Sequence, residues 1–197
     1  MRKSVDFFFD VGSPSSYLAW TQLPGLCASH GADLVYRPML LGGVYQATGN
    51  ASPANIPVKG RYTQMDYERH ARRYGVPFQG NPHFPVITLF LMRAVTGIQL
   101  RRPEQLQQLL GCVFKALWID ALNLNDPQLT ADILTGGGFD PADIERLAQD
   151  PDTKAALKAT TEEAVKRGVF GAPTLFVGEQ MFFGQDRMDF VREALSA

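Results

Sequence analysis

Residues 10 to 17, Asp10-Val11-Gly12-Ser13-Pro14-Ser15-Ser16-Tyr17, stand between an aromatic run and an apolar stretch of helical spacing. Val5 to Phe9 reads as a strand, and Tyr17, Leu18, Trp20, Leu23 and Leu26 recur as one face of a helix. Ser13 is then the N-cap and Pro14 the first helical residue. Unpaired N–H groups and the dipole at a helix start favour an anion, so this is a position for a reactive sulfur. The sequence here is Ser-Pro-Ser-Ser, with no cysteine. A thiolate can still act at this position if it arrives on a bound cofactor. Capping alone also explains the serine.

Other chemistry-bearing residues mostly exclude. His30, His70 and His83 share no metal-ligand spacing, and Cys27 and Cys112 are isolated, so neither a zinc site nor a disulfide framework is expected. Both cysteines are expected to be inert core thiols. A formal charge of -1 gives no electrostatic reason to expect nucleic acid or an anionic membrane as partner. The longest apolar stretches fall short of a membrane span, and Asp6 and Asp10 interrupt any signal-peptide core. The expectation is a soluble cytoplasmic chain whose 197 residues form one domain with a sizeable core.

The elements that must position Ser13 come next. Gly31 stops the first helix, and Ala32 to Arg37 reads as a second strand, giving a βαβ unit with parallel pairing. From Pro38 to about Pro85 the pattern is irregular, with one helix expected near Tyr62 to Tyr74. Gln105 to Leu122 carries a strong helical face in Leu106, Leu109, Leu110, Val113, Phe114, Leu117 and Trp118. Helices are also expected over 141–149 and 151–167, each opened by a proline. Thr174 to Val177 and Gln180 to Phe183 read as a hairpin across Gly178-Glu179, followed by a terminal helix. The predicted division is an αβ part, residues 1–38 and 169–197, around a mainly helical insertion, residues 39–168.

This order, with Ser13-Pro14 opening the first helix and Ala172-Pro173-Thr174 before the third strand, resembles a thioredoxin fold of the DsbA-like branch. Within that branch the chain is similar to 2-hydroxychromene-2-carboxylate isomerases and the related kappa-class glutathione transferases. Four segments carry the resemblance in order: 10–19; Thr48-Gly49-Asn50 with 57–62; His83-Phe84-Pro85; and 168–177 with 183–187. Ile87 departs from it, standing where a polar residue is expected.

The resemblance implies glutathione as cofactor and Ser13 as the hydroxyl that stabilises its thiolate. Pro173 would be cis, and the Ala172 backbone would pair with the extended tripeptide. Gln185 and Asp186 would hold the γ-glutamyl end, Lys59 the glycine carboxylate and Asn50 the peptide backbone. Capping, for Gln185 and Asp186, and solvent exposure, for Asn50 and Lys59, are the readings without it. Arg69, Arg72 and Arg73 are expected on a solvated face, and His83 in a structural role. The implied reaction interconverts 2-hydroxychromene-2-carboxylate and trans-o-hydroxybenzylidenepyruvate in a homodimer taking a small aromatic substrate. A kappa-type transferase and a redox-silent peptide-binding module are the alternatives; the missing C-x-x-C argues against disulfide exchange.

Overall fold

A computed structural model describes residues 2–197. The chain forms β1 (Ser4–Phe9), α1 (Pro14–Ser29), β2 (Asp33–Pro38), α2 (Leu41–Thr48), α3 (Pro57–Tyr74), α4 (Leu89–Arg101), α5 (Leu106–Trp118), α6 (Pro127–Gly136), α7 (Pro141–Gln149), α8 (Pro151–Lys166), β3 (Thr174–Val177), β4 (Gln180–Phe183) and α9 (Met188–Ser196). The four strands make one mixed sheet in the order β2-β1-β3-β4. β1 runs parallel to β2, and β3 antiparallel to both β1 and β4. This is the DsbA-like thioredoxin arrangement.

The aromatic run explains why β1 is central. Phe7 and Phe9 point to one face, where they join the large core with Leu18, Leu109 and Phe114. Phe8 points to the other, against Met39, Val44, Ala164, Val169 and Phe176. All three phenylalanines are fully buried, so this end of the strand has no solvent face. Each such ring contributes about 1.5–3 kcal/mol by leaving water.

Arg167 closes the second face. It donates to Asp6 Oδ2 at 2.7 Å, and its guanidinium lies 3.7 Å from the centroid of the Phe176 ring. Losing a partly buried ion pair and a cation–π contact together costs about 1–3 kcal/mol. Arg167→Ala is therefore expected to lower the calorimetric melting temperature by about 2–12 °C for a chain this size. An unchanged melting temperature would show the cluster to be energetically neutral.

Several elements differ from the sequence expectation. The segment expected to be irregular holds α2, and α3 begins at Pro57, earlier than Tyr62. Lys59 therefore sits in the first turn of a helix, not in a loop. The α4 and α6 helices also went unforeseen, and α5 ends at Trp118, ahead of Leu122. Cys27 is in the core as expected, but Cys112 is half-buried, its Sγ donating to Ile133 O at 3.2 Å. Burial pushes the Cys27 thiol up to about 11 and raises that of Cys112, so both stay protonated at neutral pH. Among the described residues no helix is long and apolar enough to cross a membrane.

Candidate functional site

Ser13 caps α1 as the spacing predicts. Its Oγ accepts from Ser16 N at 3.1 Å, with Pro14 as the first helical residue. The same oxygen donates its proton to Ala172 O at 2.9 Å, 159 positions away. Ser13 is 5 % exposed. The Ala172–Pro173 bond is cis, and the Ala172 N–H has no hydrogen-bond partner among the described residues. Pro173 O accepts from Gly184 N at 3.0 Å, which ties this loop to the residues before α9. Gln185 follows, its side chain accepting from Ser15 Oγ and its carbonyl from Tyr74 Oη at 2.6 Å. Asn50 Nδ2 donates to Phe170 O at 2.8 Å. Ser13, Ala172, Pro173, Gln185 and Asn50 are thereby joined through one short network of bonds.

The other two expected site residues are less committed. Asp186 is half-exposed and ion-pairs with Arg187 beside it. It also lines a cavity of about 520 Å³ with His70, Arg73, Tyr74 and Arg192, and Ser13 takes no part in that cavity. Lys59 is exposed in the first turn of α3 and forms no hydrogen bond or ion pair among the described residues. The helix face with Arg69, Arg72 and Arg73 is solvated, as expected, and His83 is exposed.

The residue that sequence reasoning underused is Asp10. It is 1 % exposed at the end of β1, where a carboxylate is tolerated only with partners. Its Oδ1 accepts from Gly12 N at 2.9 Å. Its Oδ2 accepts from Leu41 N at 2.9 Å and Thr88 Oγ1 at 3.0 Å. Burial pushes its carboxyl above the usual aspartate range, against the pull of these three donors. Asp10 thus pins the start of α2 and the segment before α4 to the loop that carries Ser13. Trp118 Nε1 adds a bond to Val11 O at 2.8 Å. A Cβ at Gly12 would come 2.6 Å from Thr88 Cγ2, so only glycine fits there. The available signal was an acid closing a run of buried phenylalanines.

The α3 helix brings one more group. Burial pushes the Tyr67 phenol up to about 12, with Tyr45, Asp66 and Asp186 close enough to add to the shift. A phenol of that kind remains a hydrogen-bond donor at any working pH. Around the same loops, Phe170 and Phe183 stand half-exposed with ring centroids 4.6 Å apart. Ile87 is 79 % exposed, immediately before the buried Thr88.

A buried hydroxyl at a helix start, an unpaired peptide N–H and a carbonyl beside a cis proline can take an extended peptide with a thiol. They carry no redox sulfur of their own. Among known proteins, the family model described as DSBA-like thioredoxin domain matches residues 4–196. The chain is 30% identical over 197 residues to a 2-hydroxychromene-2-carboxylate isomerase of Sphingobium xenophagum, covering 99% of each chain. It is also 30% identical to glutathione S-transferase kappa 1 of Homo sapiens, covering 99% of this chain and 92% of that one. A solved 2-hydroxychromene-2-carboxylate isomerase shares the fold with a TM-score of 0.82 and 28% identity, over 98% of this chain and 94% of that chain. The chain belongs to the DSBA-like thioredoxin family, in the branch of the 2-hydroxychromene-2-carboxylate isomerases and their kappa-class glutathione transferase relatives.

Proposed function

We propose that this chain is a glutathione-dependent isomerase interconverting 2-hydroxychromene-2-carboxylate and trans-o-hydroxybenzylidenepyruvate, working in the cytoplasm as a homodimer. The observation that carries the reading is the Ser13 hydroxyl, buried at a helix start against Ala172 O. Its chemistry fits the cofactor. Bound glutathione supplies a thiolate that adds reversibly to a conjugated carbon, so that a double bond can turn as a single bond and then re-form.

The chain's own residues would bind and ionise that thiol. A free thiol has a pKa near 8.5 and is only a few per cent ionised at neutral pH. Lowering it by about two units takes roughly 2.7 kcal/mol. One hydroxyl donor and a helix start supply energy of that order. Ser13 has a single proton, which Ala172 O holds in this structure. A peptide N–H pairing with Ala172 O would release that proton toward sulfur, coupling peptide recognition to thiol activation. Ala172 N–H, which has no partner among the described residues, would make the second backbone bond. Gln185 and Asp186 would face the γ-glutamyl end, with Asn50 and Lys59 on the other side. Phe170 and Phe183 would offer the apolar surface that an aromatic substrate needs.

The first test is calorimetric titration with glutathione. Binding in the millimolar range or tighter is expected, and no heat at several millimolar would end the proposal. Lys59→Ala is expected to weaken binding about three- to tenfold by removing one exposed charge from a carboxylate, the more so at low salt. Equal affinity would place Lys59 outside the site.

Product analysis separates this reading from a transferase, which the human kappa relative keeps in view. Glutathione recovered intact with an isomerised substrate supports the isomerase, and a stable adduct supports conjugation. The dimer has a candidate contact in the exposed apolar face of Val58, Tyr62 and Met65 on α3. Sedimentation equilibrium reads it directly.

A further inference from the structure

Between α2, the start of α4 and α8 lies a groove of about 700 Å³, within the range of small-molecule sites. Its floor is apolar, with Leu40, Leu89, Leu157 and Val165. Its rim carries four cations, Arg93, Lys154, Lys158 and Lys166, against one carboxylate, Glu162. Such segregation is marked in a chain whose formal net charge is -1. None of the residues assigned to the Ser13 site lines this groove.

The rim charges are mostly unanswered. Glu162 lies 3.7 Å from Lys158, and no carboxylate among the described residues comes within 4 Å of Arg93, Lys154 or Lys166. Arg93 and Lys154 are half-buried, and their side chains also form no hydrogen bond among the described residues. Partly desolvated cations above an apolar floor gain most from an anion that itself carries an apolar body. A short inorganic anion would leave the floor wet, and a neutral apolar molecule would leave the cations unpaired.

We propose that this groove is a second binding site, separate from Ser13, for an amphipathic organic carboxylate. The hydrocarbon body lies on the leucine and valine floor, and the carboxylate meets the basic rim. A fatty acid and a soluble arylalkanoic acid share this chemistry. Decanoate and 4-phenylbutyrate are the two probes that tell these sources apart. The proposal does not depend on the reading of the Ser13 site.

The experiment is calorimetric titration of the intact chain with both acids and with 4-phenylbutanol, at low and moderate salt. At least one acid is expected to bind at about 1 mM or tighter, at least tenfold better than the alcohol and more weakly as salt rises. The tighter acid identifies the source. Arg93→Gln/Lys154→Gln is expected to weaken acid binding at least fivefold. Lys158→Glu/Lys166→Glu changes only exposed residues and is expected to do the same, covering the case in which the first variant fails to fold. Ser13→Ala is expected to leave this binding unchanged.

Four results would overturn the proposal. One is no binding of either acid at 5 mM or so, well above the expected constant. Another is equal affinity for acid and alcohol, which would make the groove merely apolar. The third is loss of acid binding in Ser13→Ala with none in the rim variants, which would put the ligand in the Ser13 site. Acid binding that falls as the chain self-associates would give the groove to a second copy and overturn it as well.

Discussion

Ser13→Ala is expected to lower the rate with limiting substrate about 25-fold at pH 7, and the deficit is expected to depend on pH. The size follows from ionisation. If the bound thiol titrates near 6.5 with the hydroxyl and near 8.5 without it, its thiolate fraction at pH 7 falls from about three quarters to about 3 %. Toward pH 6 the ratio rises to about 75-fold, and above pH 9 it closes to nearly one. The substitution also removes a helix cap and the bond to Ala172 O, which together cost about 1–3 kcal/mol of stability. That loss has no reason to vanish at high pH. A pH-rate profile therefore separates the two roles of Ser13. Convergence of the curves at high pH supports thiolate stabilisation. A constant deficit across the range would leave Ser13 a cap and remove the centre of the proposed mechanism. Absorbance of the bound thiolate near 240 nm, titrated in both forms, checks the same shift without turnover.

The parts of this site that could be read from sequence are those built by local rules. Ser13-Pro14 has capping chemistry, the Gly178-Glu179 turn has hairpin chemistry, and α5 shows a clear apolar stripe. The missed elements lack such signals or bury them. The α4 helix is enclosed on nearly every side, with Leu91, Met92, Ala94, Val95, Thr96, Gly97 and Ile98 all buried, so its sequence has no polar face to mark the period. The α2 helix contains Gly42 and Gly43, poor helix formers, and depends on tertiary bonds such as Leu41 N to Asp10. The α6 helix did carry the cue that located its neighbours, since Asp126-Pro127 matches Asp140-Pro141 and Asp150-Pro151. Each of these aspartates caps its helix. The site residues divide in the same way. Ser13, Ala172 and Pro173 sit in motifs with local meaning, whereas the bond from Asn50 to Phe170 spans 120 positions and has no local trace.

Asp10 also depends on distant partners, and its replacement is expected to have the largest structural effect. In Asp10→Asn one oxygen becomes an NH₂ group. Both oxygens of Asp10 accept backbone N–H donors, from Gly12 on one side and Leu41 on the other. Either amide orientation therefore sets donor against donor in a buried place. An unsatisfied pair of that kind, with a weakened hydrogen bond beside it, costs about 2–4 kcal/mol. A chain this size would melt about 4–16 °C lower. The loss is expected to vary with pH in a definite direction. Below the ordinary aspartate value of 3.8, Asp10 is neutral in the folded and unfolded chain alike. As pH rises the unfolded chain gives up its proton first, because burial holds the folded value higher. The folded state then binds more protons than the unfolded one, and the stability that Asp10 contributes falls with pH until the folded value is passed. Asparagine has no such dependence. The melting gap between the two forms should therefore be widest in acid and narrow toward neutrality. A gap that widens with pH would mean that the three donors outweigh burial and hold the carboxylate ionised. In either case the side-chain anchors from Asp10 to Gly12 N and Leu41 N, which fix the loop carrying Ser13, are disturbed, while the backbone bond from Ser13 N to the residue 10 carbonyl remains. On the proposed reading, turnover should then fall mainly through kcat, while glutathione, which Ala172 and the residues before α9 would still hold, should bind almost as before.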